Sequence, residues 1–98
     1  MTIEIKNKVE ETIIEISGRL DTTTAPSLEK TIDECLEYTK NLILDLKNLE
    51  YISSAGLRVL LSSQKKMKKI GLMKVKNVSE SIMDIFEMTG FADILVIE

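Results

Sequence analysis

A single small α/β domain, 1–98, with a mixed and mainly parallel sheet and its helices mostly on one face, is the fold class that this sequence predicts. Three observations carry that expectation. First, apolar residues recur with a period of two in short segments and of 3.6 in longer ones, in the order β-β-α-β-α-β-α-β. Second, strands joined through helices lie parallel with right-handed crossovers, whereas the short gap between the first two allows an antiparallel hairpin. Third, the strand pattern leaves one face wholly apolar (Ile14, Ile16, Leu42, Leu44, Leu46, Met73, Val75), while the other mixes Glu15, Asp45, Lys74 and Lys76 with Ile13, Ile43 and Leu72. A sheet covered by helices on both sides would be apolar on both. The length of 98 residues suits one such domain.

The elements follow in order. Ile3 and Ile5 alternate with polar neighbours, as in an edge strand, and Thr12–Ile16 supplies its hairpin partner. Ser17–Thr24 reads as a loop by composition. Pro26 suits the first turn of a helix, where its missing N–H costs nothing. Leu28, Ile32, Cys35 and Leu36 then form one apolar stripe, on which Cys35 reads as a buried structural thiol. Leu42–Leu46 is the third strand. A helix from about Ala55 to Lys69 places Leu57, Leu60, Leu61, Gln64 and Met67 on one side and Val59 nearly opposite. Gly71 is expected to end it as a left-handed cap. Leu72–Lys76 is the fourth strand. Asn77 with Glu80 resembles a capping box, Val78, Ile82, Ile85 and Phe86 stripe the third helix, and Gly90 closes it. Ile94–Ile97 is the expected last strand.

Composition removes several functions. A net charge of −3 argues against nucleic-acid binding, which needs a basic face. The run Lys65-Lys66-Met67-Lys68-Lys69 falls at a helix C-terminus, where cations complement the dipole. With one cysteine no disulfide can form within the chain, and a cytoplasmic setting is expected. No signal-peptide pattern is visible at the N-terminus, and no segment approaches the ~18 apolar residues of a membrane span, so no membrane insertion is expected. Histidine is absent, which excludes Ser-His and Cys-His nucleophile pairs and phosphohistidine chemistry.

The most informative stretch is Tyr51-Ile52-Ser53-Ser54-Ala55-Gly56-Leu57-Arg58, between the third strand and its helix. A hydroxyl on Ser54, at the helix entrance, has two available roles. It can cap the helix by accepting from free backbone N–H groups. It can also carry a phosphate, which those N–H groups and the helix dipole stabilise. Asp21 lies in a loop that reaches the same sheet edge, as an Asx-type turn or as a direct participant. Asp45 reads as a strand-end hydrogen-bonding residue.

Gly18-Arg19-Leu20-Asp21 with Thr24-Ala25, Leu44-Asp45-Leu46, the Ser53-Ser54-Ala55-Gly56-Leu57 segment, Val75–Ser79 and Met88–Phe91 together resemble a STAS domain, more narrowly the stand-alone anti-sigma factor antagonists of bacteria. The resemblance spans essentially the whole chain. It implies a non-enzymatic domain that binds an anti-sigma factor serine kinase of the histidine-kinase-like ATPase type and so frees a sigma factor. The kinase phosphorylates one hydroxyl after the third strand, here Ser54, and the modified form lets go. A metal-dependent serine phosphatase resets it. ATP and magnesium belong to the kinase, and no cofactor or metal is implied for this chain. The residue before the acceptor is commonly Asp in the best-known members; here it is Ser53, which removes a charge and adds a second hydroxyl. The partner contact is expected to involve Asp21, Thr22, Thr23, Ser53, Ala55, Gly56 (allowing close backbone approach), Arg58 and an exposed Val59. The oligomeric state is left open, the partly apolar second sheet face having room for a copy or a partner.

The alternative is an accessory or scaffold role in a transporter or sensory complex without a phospho-switch, since the fold and loop are shared. A receiver domain with Asp45 as acceptor lacks the acidic pair and the final lysine. A serine hydrolase lacks the first glycine of its nucleophile elbow and any histidine. A nucleotide site lacks a glycine-rich loop with lysine.

Overall fold

The computed structural model describes residues 1–98. Strand β1 (Thr2–Lys8) and strand β2 (Glu11–Leu20) are followed by helix α1 (Ala25–Cys35), strand β3 (Asn41–Ile52), helix α2 (Ser54–Met67), strand β4 (Leu72–Lys76), helix α3 (Glu80–Thr89) and a 3₁₀ turn at Phe91–Asp93. The sheet order is β1-β2-β3-β4. β1 is antiparallel to β2, with a tight turn at Val9-Glu10, and the other two pairings are parallel.

The register explains the two faces. Ile5, Ile14, Leu44 and Val75 lie opposite one another in a row, and the last three are fully buried. The apolar residues of all three helices join these strand residues in one cluster of 21 buried side chains. The helices therefore share one face, as the alternation predicts. The adjacent row, Lys6, Ile13, Ile43 and Lys74, points the other way, followed by Glu4, Glu15, Asp45 and Lys76. Lys6 pairs with Glu15 at 2.8 Å on this open face.

Several local expectations are corrected. Ser17–Leu20 is not loop: β2 continues through it, with register shifts after Glu15 and after Gly18. These bulges let β2 and β3 stay paired to Arg19–Tyr51 and Leu20–Ile52, so β3 is longer than Leu42–Leu46 and delivers the chain directly to α2. Gly71 is not a left-handed cap; it lies where a Cβ would sit 1.8 Å from the carbonyl oxygen of Lys40. Asn77 and Glu80 form no capping box. Ser79 is the N-cap and accepts from the Ile82 N–H, while Asn77 takes a left-handed φ of 57° and donates to Asp45. Asn tolerates that conformation where most residues do not. Gly90 closes α3 with φ 82°, as expected. Ile94–Ile97 forms only one bridge, Val75 to Ile97. The 3₁₀ turn carries Leu95 into the core, and burying that one side chain replaces regular pairing of the whole segment.

Candidate functional site

The site lies where the C-terminal ends of β2 and β3 release the chain into α1 and α2. The Ser53 N–H donates to Leu20 O at 2.9 Å, which fixes the end of β3 against β2. Ser53 has extended backbone (φ −93°, ψ 175°), and its Oγ accepts from the Gly56 N–H at 3.3 Å. Ser53 is thus the N-cap. The expectation that Ser54 caps α2 is corrected by one residue, because an N-cap precedes the first helical residue and its oxygen reaches forward to the free N–H groups of the first turn. Ser54 is that first helical residue. It is exposed, and its hydroxyl makes no hydrogen bond within the protein.

Gly56 is buried beneath this turn. A Cβ there would come within 2.7 Å of Leu20 and 2.9 Å of Ile52 side chains. The glycine brings α2 down onto the strands and does not face outward, so the expected backbone approach of a partner at Gly56 is corrected. Val59 is corrected likewise: it is 6% exposed and belongs to the core cluster. On an isolated helix every side away from the sheet faces solvent. α1 packs beside α2, and Val59 faces it across a shallow cleft of about 250 Å³, also lined by Thr22, Ala25, Pro26, Glu29, Ala55 and Arg58. Arg58 and Thr22 are exposed and Ala55 half-buried on the same rim.

Asp21 organises the opposing loop. Its Oδ1 accepts from the Thr23 hydroxyl at 2.7 Å, the Thr23 N–H at 3.0 Å and the Thr24 N–H at 3.1 Å. Its own N–H donates to Thr24 Oγ1 at 2.8 Å. The Thr23 hydroxyl, helped by the Thr24 and Thr23 amides against some desolvation, holds the Asp21 carboxyl below its ordinary value. This is the Asx-type turn, and no hydrogen bond joins Asp21 to Ser54. Asp45 likewise accepts from the Lys47 N–H and Asn77 Nδ2, both at 3.0 Å.

One feature escaped sequence reasoning. The Arg19 guanidinium stacks on the Tyr51 ring at 4.2 Å, just before the loops of the site. Only the register, which the bulges alter, brings these two side chains side by side. No group of three or more His, Cys, Asp or Glu side chains is placed to hold a metal ion, and no helix is long and apolar enough to cross a membrane.

A small α/β domain with helices on one side of a mixed sheet, presenting an exposed serine as the first residue of the helix after its third strand, defines a class seen in known proteins. The STAS domain family model matches residues 1–98, and the chain belongs to that family. It is 31% identical over 96 residues to the anti-sigma-B factor antagonist of Bacillus subtilis strain 168, covering 97% of this chain and 88% of that protein. Its fold matches the crystal structure of an anti-sigma factor antagonist from Mycobacterium paratuberculosis with a TM-score of 0.89, at 24% identity, over 98% of this chain and 83% of that one. It also matches the Bacillus cell-fate determinant SpoIIAA in its phosphorylated form, with a TM-score of 0.78 at 16% identity, over 99% and 91% of the two chains.

Proposed function

We propose that this protein is a cytoplasmic anti-sigma factor antagonist without catalysis of its own, gated by phosphorylation at Ser54. Unmodified, it binds an anti-sigma factor serine kinase and so releases a sigma factor. The kinase moves the γ-phosphoryl group of ATP to Ser54 Oγ; the hydroxyl proton passes to a base on the kinase and ADP leaves. A serine phosphatase uses water to return the hydroxyl and inorganic phosphate.

The observation that carries this reading is the division of labour between two adjacent serines. Ser53 supplies the cap, and Ser54 stands exposed with an unengaged hydroxyl. A phosphate on Ser54 adds about −1.5 to −2 charges without undoing the cap, at a helix end that tolerates anions. The fold survives, and the change is felt by whatever docks on the rim of Thr22, Thr23, Ser53, Ala55 and Arg58. Modification of Ser53 would instead fall on the capping oxygen itself. Gly56 and Val59 support this rim from beneath.

Affinity capture from lysate of the source cells tests the reading, with wild-type, Ser54→Ala and Ser54→Glu baits and mass spectrometry of the recovered wild-type chain. Capture of a histidine-kinase-like serine kinase by the first two but not the third, with phosphate on Ser54, is the expected result. Equal capture of transporter subunits or other STAS proteins by all three, with no phosphate, would leave a constitutive scaffold in its place.

A further inference from the structure

Arg58 is the only charged residue in the first two turns of α2, Ser54 to Leu61, and no acidic residue occupies the first turn. A cation this close to a helix N-terminus opposes the dipole. It is exposed, and none of the protein's four ion pairs includes it. Glu29 lines the same cleft from α1 but makes no ion pair with it. Two further charges at this end are already engaged: Asp21 with Thr23 and Thr24, and Arg19 with the Tyr51 ring. Arg58 is therefore a free guanidinium at an unfavourable place, four residues after a free hydroxyl.

Residues at i and i+4 share a helix face, with Cβ atoms about 5–6 Å apart, and an anion N-terminal to a cation is the better order. A guanidinium matches a phosphate with two parallel donors. We propose that Arg58 is the internal counter-ion of phosphorylated Ser54: phosphorylation draws its guanidinium onto the phosphate, so that the modification adds an anion to the docking rim and withdraws the cation from it at once. The unmodified form presents Arg58 to an acidic group of the partner; the modified form does not. This rests on the reading of Ser54 as phosphoacceptor and gives that switch its second component.

The test installs phosphoserine at position 54 during translation, so it does not depend on any cellular kinase. Failure of Ser54 as the cellular acceptor would show in the capture experiment and not here. Phosphorus NMR titrations then compare the Arg58 protein with Arg58→Lys and Arg58→Ala. A nearby cation favours the dianion, so the second ionisation of the phosphate, ordinarily near about 6, is expected to lie lower with Arg58 than with Ala by about 0.3–1 unit, with Lys between. The Arg58 Nε–H signal should also move between the Ser54 and phosphoserine forms. Superimposable titrations for Arg58 and Ala, with an unmoved Nε–H signal, would overturn the proposal. Because Arg58 is exposed, all three variants are expected to fold.

Discussion

The hydroxyl of Ser53 accepts a hydrogen bond from the backbone N–H of Gly56, at 3.3 Å, and this contact leaves the neighbouring Ser54 with nothing to hold. Structural duty and chemical availability are thus separated across one peptide bond. Ser53→Ala should therefore lower stability by about 0.5–2 kcal/mol, while Ser54→Ala stays within about 0.5 kcal/mol of wild type. Urea unfolding midpoints of the two variants check this, and the reverse order would return the cap to Ser54.

Two glycines that are not left-handed should resist alanine for a steric reason. At Gly56 the added methyl meets Leu20 and Ile52 side chains at 2.7–3.0 Å, which can shift only by repacking the core. A loss of about 1–3 kcal/mol is expected. At Gly71 it meets the Lys40 backbone carbonyl at 1.8 Å, so the chain itself must move and the loss should be larger. Thermal melts ranking Gly56→Ala as the more harmful of the two would contradict this geometry.

Val59 and Arg58 are adjacent in sequence and opposite in consequence. Val59→Ala removes methyl groups from the α1–α2 contact and should cost about 1–3 kcal/mol. Arg58→Ala, on the exposed rim, should change stability by no more than about 0.5 kcal/mol. Chemical denaturation separates them. An unaffected Val59→Ala would mean that this side chain faces solvent.

Asp21 should give the fold a pH dependence of known sign. Its folded-state pKa lies below the ordinary 3.8, chiefly because the Thr23 hydroxyl donates to it. Its contribution is therefore fully present above about 3.8 and is lost as pH falls through the lower folded value. The melting-temperature difference between wild type and Asp21→Asn should narrow over that acid range, and Thr23→Val should weaken the effect. A difference independent of pH down to full protonation would show that the carboxylate charge contributes nothing there.

Much of this was legible from residue patterns, and the misses share a cause. Period-two and period-3.6 runs reported the core face of every regular element but the edge strand β1, because Ile14, Leu44, Val75, Leu28, Leu60 and Phe86 each bury against the same cluster. Patterns confined to one element could not report neighbours. Val59 appears exposed on an isolated helix and is covered only because α1 lies beside it. Gly71 appears to be a cap until the Lys40 carbonyl arrives from another segment. Ser17–Leu20 has the composition of a loop, yet the β3 ladder recruits it. At the site, the motif placed an exposed serine at the helix entrance, Ser54, but the capping role expected of it belongs to Ser53. The register of helix entry depends on the Ser53–Leu20 bond, which no local pattern contains.

The mixed sheet also sets an order of events. Only β1 and β2 are joined by a tight turn, at Val9-Glu10; the β2–β3 and β3–β4 ladders each await a helix-length loop. Closing longer loops costs more chain entropy before any contact rewards it. The hairpin is therefore expected to form first, within microseconds as isolated hairpins do, and the parallel ladders that bring Leu20 to Ser53 are expected to follow. The serine pair is thus expected to be assembled after the hairpin, and a nascent chain presents no finished helix entrance until its central strands have met.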